Sequence, residues 1–440
     1  MVQTIALDNA VTALLDSIDE DRLVILCGAG LSMAPPSNLP SAAALANEIF
    51  DHCQRNGEIV QNDLEEQANH FLESGRFCNY FIRKLIPTDS FAMPHNLGHS
   101  AIADFLLCRA ATSVISTNLD NLIETAAHDL FGEVDGLLDG QEAENAPHDR
   151  SPLLKIHGCW IKDRDNTVWA PAQIQNEPVK SRIARSAQWL NLHLANKDLL
   201  IIGFWSDWSY LNTVLESSLG AIQPSRVIII DPSDVETLRE KAPGLHELGS
   251  KDDVTFLHLP LSGSEFLNTL RLKFSRKYVR SSIYSARQSY LDSTGNEPHE
   301  VWYELPEETS LQALYAIRRD IEGCSPSEPA KAKNPNINDF VGLTILQLQA
   351  KGAVFSDGHW LLDDRKIRVL NAPWFLHIVR QKFQREVTPF GSADIVICVG
   401  AEDTGLPGNI ARDGRNPSIV RGGPSGEWIT RPRAQELLNL

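Results

Sequence analysis

Short apolar runs punctuate the first 260 residues, and each stops at a glycine, a proline or a polar side chain. They are Leu23–Cys27, Ser113–Ser116, Leu153–Ile156, Leu199–Gly203, Val227–Asp231 and Val254–Leu259. None is long enough for a helix. Continuous rather than alternating apolarity marks strands buried on both faces, as in a parallel sheet. Helical spacing fills the stretches between them, so the pattern predicts an α/β domain over residues 1–280, built on a doubly wound, Rossmann-like parallel sheet. About 85 residues separate the first two runs, too many for one crossover connection. Within that gap Ala42–Cys53, Asn62–Ser74 and Asn96–Cys108 carry helical periodicity, with Pro87 and Pro94 as breaks. A helical module inserted over about 41–110 is the expectation.

After residue 280 the pattern loosens. A proline-bearing segment at 323–338 reads as a linker or long loop. Asn338–Lys351 has helical spacing, and Pro373–Glu386 reads as a helix with proline at its first position. Between them Trp360–Leu362 and Lys366–Leu370 are spaced to pair as a hairpin around Asp363–Arg365, and Asp394–Gly400 reads as a last strand. Residues 281–440 are thus expected to form a smaller, mixed α+β C-terminal domain for assembly or partner recognition. Seven glycines between Gly400 and Gly426 suit a surface loop better than a second nucleotide site.

Composition narrows the function classes. Forty basic against 57 acidic side chains give a net charge of −17, which opposes a protein that coats nucleic acid through overall charge. Two basic stretches stand out: Arg271, Lys273, Arg276, Lys277 and Arg280, then Arg412, Arg415, Arg421, Arg431 and Arg433. Each reads first as a solvated face or tail. No apolar run approaches the ~20 residues of a membrane span. The seven cysteines are an odd number, and the closest two are 25 positions apart. Neither a disulfide framework nor a metal site is expected, and the chain reads as reduced and cytoplasmic.

Chemistry gathers where the runs end. The first is followed by Gly28-Ala29-Gly30-Leu31-Ser32, whose glycines allow backbone N–H groups close to a phosphate. The third glycine of the dehydrogenase fingerprint is missing, since position 33 is methionine, which disfavours hydride transfer; no P-loop motif occurs either. The second run leads into Thr117-Asn118-Leu119-Asp120 and the third into Lys155-Ile156-His157-Gly158. The fourth leads into Gly203-Phe204-Trp205-Ser206-Asp207, and the fifth ends at Asp231. Open α/β sheets bind ligands at the carboxyl ends of their strands, so these residues are expected to share one crevice outside the apolar core. Plainer roles stand beside these. Asn118 would suit the N-cap of a helix Leu119–Leu130, Asp120 would favour that helix's dipole, and Trp205 and Trp208 would serve packing.

Taken in order, Gly28–Ser32, Thr117-Asn118-Leu119-Asp120, Lys155-Ile156-His157-Gly158, a strand leading to Gly203 and another leading to Asp231 resemble the sirtuin catalytic domain over about residues 20–270. The resemblance implies NAD as substrate. Gly28, Ala29, Gly30 and Ser32 would lie at its phosphates; Thr117, Asn118 and Asp120 at nicotinamide and ribose. His157 would be the general base. Gly203 and Ser206 would make a second contact with the dinucleotide, and Asp231 would sit near the adenosine ribose. Two departures shift the expected reaction. The four-cysteine zinc module of sirtuin deacylases is missing, with only Cys159 between Gly158 and Asp198. The segment that follows their first motif is replaced by Met33-Ala34-Pro35-Pro36. In both respects the chain resembles the sirtuin-like NAD hydrolases of bacterial anti-phage defence. That resemblance implies cleavage to nicotinamide and ADP-ribose and arrest of growth by NAD depletion. The alternatives are an NAD-dependent deacylase lacking zinc, and a non-catalytic sensor of NAD or ADP-ribose.

An NAD hydrolase must be restrained in its own cell. The resemblance implies a homo-oligomer gated by a HerA-type hexameric ATPase, or alternatively by a short prokaryotic Argonaute. The ATPase fits better because residues 281–440 are short and mixed. Arginines 412 to 433 would order on an acidic partner surface. Neither membrane association nor direct, sequence-specific nucleic-acid binding is expected.

Overall fold

Leu23, Val24, Ile25, Leu26 and Cys27 are all fully buried. A strand with no wet face belongs in the middle of a sheet covered on both sides. In the computed structural model, which describes residues 2–87, 89–204, 208–219, 225–249, 254–383, 392–403 and 426–440, this strand lies inside an eight-stranded sheet. The strands are β1 (Gln3–Thr4), β2 (Leu23–Cys27), β3 (Ser113–Ser116), β4 (Gly136–Leu137), β5 (Leu153–Lys155), β6 (Asp198–Ile202), β7 (Ser225–Ile230) and β8 (Val254–Leu259). Their order is β1-β8-β7-β6-β2-β3-β5-β4 and every ladder is parallel. This is the doubly wound α/β architecture that the apolar runs predict.

Successive side chains of a strand point to opposite faces. Val24, Leu26, Leu199, Ile201, Val227 and Ile229 enter one apolar cluster, with Ile183 and Leu190 of helix Val179–His193 and Leu211 and Leu215 of helix Ser209–Ser218. Their neighbours Leu23, Ile25, Leu200 and Ile228 are equally buried on the other face. From β2 the chain lays down β3, β4 and β5 on one side of the sheet, then returns to lay β6, β7 and β8 on the other. The switch in direction therefore falls between β2 and β6, the position where open α/β sheets open a crevice.

Between β2 and β3 stand the helices Ala42–Arg55, Leu64–Glu73 and Leu97–Leu107 and a π-helix, Phe77–Leu85. Leu45, Ile49, Phe71, Phe81 and Ile82 build a small core of their own there, closed by Trp160 and Trp169 from the segment after β5. The helix after β3 starts at Leu122 rather than Leu119.

The chain divides into two compact units, Met1–Leu270 and Arg271–Leu440. In the second, β9 (Val354–Ser356), β10 (His359–Leu362), β11 (Arg365–Asn371), β12 (Ile395–Val399) and β13 (Glu427–Thr430) form a mixed sheet in the order β13-β12-β11-β10-β9. The pairs β9/β10 and β10/β11 are antiparallel, the other two parallel. The β10–β11 hairpin turns on Asp363 and Asp364 alone, both in the left-handed region, so Arg365 already pairs with Leu362. A second tight turn, Asp357-Gly358, joins β9 to β10. Pro373 lies in the connection before its helix, which begins at Leu376. Arg368 on β11 pairs with Asp320 of helix Leu311–Glu322 through Nε at 2.7 Å, while its neighbours Ile367 and Val369 enter an apolar core with Leu314, Ile317, Leu346 and Ile397. Arg412, Arg415 and Arg421 lie outside the described residues.

Candidate active site

The parallel register aligns Cys27 with Ser116 and Ile202, Ser116 with Lys155, and Ile202 with Ile230. Whatever follows each strand therefore emerges along one edge of the sheet. At the switch point two chain segments interlock. Gly28 N–H donates to the Ile202 carbonyl and Gly30 N–H to the Gly203 carbonyl, both at 2.9 Å. A Cβ on Gly30 would lie 2.8 Å from Gly203 Cα. One on Gly203, whose φ is +59°, would lie 2.4 Å from Leu31 N. Side chains would force these segments apart, so the glycines are required for close backbone approach. Two of the amides expected to face a phosphate are instead engaged in holding β2 to β6.

Ser32, one turn further on, is buried and joins three side chains. Its hydroxyl has one proton and two lone pairs. Asp120 Oδ2, a carboxylate oxygen, accepts that proton at 2.9 Å. His99 Nε2 lies 3.0 Å away and Asn118 Nδ2 2.9 Å away, filling both lone pairs as donors. The arrangement is consistent throughout. His99 Nδ1 accepts the Asn96 N–H at 3.1 Å, which leaves the ring proton on Nε2. Burial pushes the His99 pKa down to about 4, so the ring stays neutral near pH 7. The network also fixes the Asn118 amide. With Nδ2 turned to Ser32, Asn118 Oδ1 is buried and has no hydrogen-bond partner among the described residues.

Asp120 has a second engagement, since its Oδ1 accepts the Leu122 N–H at 3.1 Å and so begins the helix Leu122–Asp129. Asn118 does not cap that helix. Lys155, almost wholly buried, reaches from β5 to the Asp120 carbonyl and lies 3.4 Å from Glu124. Burial works against its charge, but Glu124 and Asp120 outweigh it and hold the Lys155 pKa up. The ammonium thereby clamps the turn that presents Asn118.

His157 follows β5. It is buried at 5% exposure and Asn118 at 7%, and neither belongs to an apolar cluster. His157 Nε2 lies 2.9 Å from the Tyr210 hydroxyl. A backbone hydrogen bond at Thr117 favours the charged ring, but burial outweighs it. Burial pushes its pKa down to about 3. The Trp208 ring centroid stands 4.4 Å from that of the imidazole.

Gly28, Ala29, Gly30, Ser32, Asn118 and Asp120 are therefore brought together at the ends of β2 and β3, and His157 follows the adjoining strand β5. Asp231 lies two strands away at the end of β7. Its Oδ1 accepts the Ser233 N–H at 2.8 Å, and burial raises its pKa. Ser206 lies outside the described residues. Sequence reasoning missed His99, Lys155 and Tyr210. The Asn96-x-x-His99 capping spacing and the Lys155 beside His157 were available as signals; Tyr210 had none. Among the described residues no three His, Cys, Asp or Glu side chains gather as metal ligands, and no helix is long and apolar enough to cross a membrane.

No curated protein sequence matches the chain. Among solved structures, a Sir2 homologue in complex with NAD is 15% identical over 61% of this chain and 94% of its own, with a TM-score of 0.37. Sir2 in complex with the inhibitor EX-527, 2'-O-acetyl-ADP-ribose and a deacetylated p53 peptide is 14% identical over 60% and 98%, with a TM-score of 0.32. Sir2Tm bound to a propionylated peptide gives 14%, 60% and 98%, with a TM-score of 0.33. Residues 112–249, which contain Asn118, Asp120, Lys155, His157 and Tyr210, match the family model of the SIR2-like domain.

Proposed function

We propose that this chain is an NAD hydrolase. It breaks the bond between ribose C1′ and the nicotinamide nitrogen, and water completes the products nicotinamide and ADP-ribose. The observation that carries this reading is Asn118 Oδ1 after β3, a buried acceptor without a partner among the described residues, with the buried imidazole of His157 after the adjoining strand β5. A buried acceptor left open costs free energy unless a ligand completes it, and a ligand N–H or a water would do so.

The leaving group is already cationic, so bond breaking needs orientation and charge placement more than proton transfer to the leaving atom. In this reading Asn118 Oδ1 orients the nicotinamide carboxamide or the attacking water. His157 accepts a proton from a ribose hydroxyl or that water. Asp120 acts through Ser32 and through its own backbone, as a positioning residue. In the cell the enzyme would serve as an anti-phage effector that empties the NAD pool, as a homo-oligomer gated by a HerA-type ATPase.

The test is product analysis of NAD incubated with the pure chain, alone and with the product of its genomic neighbour. Nicotinamide and ADP-ribose in equal amounts, lost in His157→Ala, is the expected result. Consumption only in the presence of an acyl-peptide would make it a deacylase, and NAD bound but intact would make it a sensor.

A further inference from the structure

We propose that Tyr210 is a latch on His157: its hydroxyl occupies the position from which the imidazole would take a proton, and the site becomes competent only when Tyr210 moves away. The proposal rests on reading His157 as the base of the hydrolase.

Nε2 of the imidazole lies 2.9 Å from the Tyr210 hydroxyl. A substrate hydroxyl or water must come within about 2.6–3.2 Å of the base, which is the space the Tyr210 oxygen fills. Trp208, just ahead of helix Ser209–Ser218, adds a ring 4.4 Å from the imidazole, so the start of that helix covers His157 from one side. Burial also raises the Tyr210 phenol pKa well above its ordinary value, which keeps the hydroxyl protonated. In the same closed arrangement burial makes the imidazole a poor holder of a proton. Withdrawal of Tyr210 frees Nε2 and readmits polar surroundings to the ring, so one displacement gives both access and basicity.

The experiment uses the full chain as wild type, Tyr210→Phe and Tyr210→Ala, with circular dichroism confirming the fold of each. Two readouts are taken. Diethyl pyrocarbonate modification of His157 is followed by peptide mass mapping, with His128, whose side chain is 87% exposed, as internal reference. NAD cleavage is followed by nicotinamide release. Modification of His157 at least tenfold faster in Tyr210→Ala, with His128 unchanged, and at least tenfold faster cleavage in both variants are the expected results. Equal modification of His157 in all three proteins overturns the latch. So does a fall in cleavage by Tyr210→Phe, because the hydroxyl would then belong to the chemistry. Faster modification with no NAD cleavage by any of the three supports the latch and removes the hydrolase reading instead.

Discussion

Ser32 Oγ takes a hydrogen bond from Asn118 Nδ2 at 2.9 Å across 86 positions of sequence, and this contact decides which end of the amide stays without a partner among the described residues. The hydroxyl can play that part because Asp120 takes its only proton and His99 fills its second lone pair. Four residues from three separate chain segments thus set the orientation of one carbonyl oxygen.

Ser32→Ala removes the hub while leaving its three partners buried. Each unsatisfied group costs about 1–3 kcal/mol, less whatever a trapped water recovers. A net loss of about 2–4 kcal/mol is expected in urea unfolding, together with at least tenfold slower NAD cleavage as the Asn118 amide loses its anchor. Wild-type stability in Ser32→Ala would show that the network contributes little.

His157→Ala and Asn118→Ala should each lower nicotinamide release by about a hundredfold or more, the usual scale for removing an acid–base group. Because both residues are buried, each variant should also lose about 1–3 kcal/mol of stability. Residual cleavage near the wild-type rate in a folded His157→Ala protein would exclude the imidazole as base.

The two buried histidines give stability a pH dependence of definite sign. Their folded pKa values, about 4 for His99 and about 3 for His157, lie below the unfolded value of about 6.5. Between those limits the unfolded chain binds protons that the folded chain refuses. Stability is therefore full above about pH 6.5 and falls as pH falls, by up to about 1.4 kcal/mol per pH unit for each group. Denaturant unfolding of wild type and His99→Gln from about pH 4.5 to 6 should show a shallower slope in the variant by about one proton. Equal slopes would mean that His99 titrates normally.

Gly203→Ala places a methyl 2.4 Å from a backbone nitrogen at a position with φ of +59°. Neither element of that clash can yield cheaply, so a loss of about 2–4 kcal/mol is expected, read as a drop in thermal midpoint. A midpoint unchanged within error would show that the two segments separate without penalty.

Much of the fold was legible because buried parallel strands leave a plain trace. Leu23–Cys27, Ser113–Ser116 and Val254–Leu259 match β2, β3 and β8 residue for residue. The two-residue strands β1 and β4 have no room for a pattern, and the π-helix Phe77–Leu85 has no distinct periodicity in so short a span. The hairpin turn at Asp357-Gly358 carried a recognisable signal that went unused. In the site, residues that follow strands were legible because topology alone brings strand ends together. His99 and Tyr210 were not, since each meets its partner, Ser32 or His157, from a helix 67 or 53 positions distant.

The excursion between β2 and β3 has a consequence for engineering. Asn96 and His99 open its last helix, and they bond to the Leu31 carbonyl and to the Ser32 hydroxyl. The loop is thus not a cassette that can be excised whole. A shortened or grafted chain would have to splice before Asn96 and keep the helix through Leu107, importing foreign sequence only over Ala42–Leu85. A graft that replaced the entire excursion would preserve every strand and still deliver Asn118 in an undefined orientation.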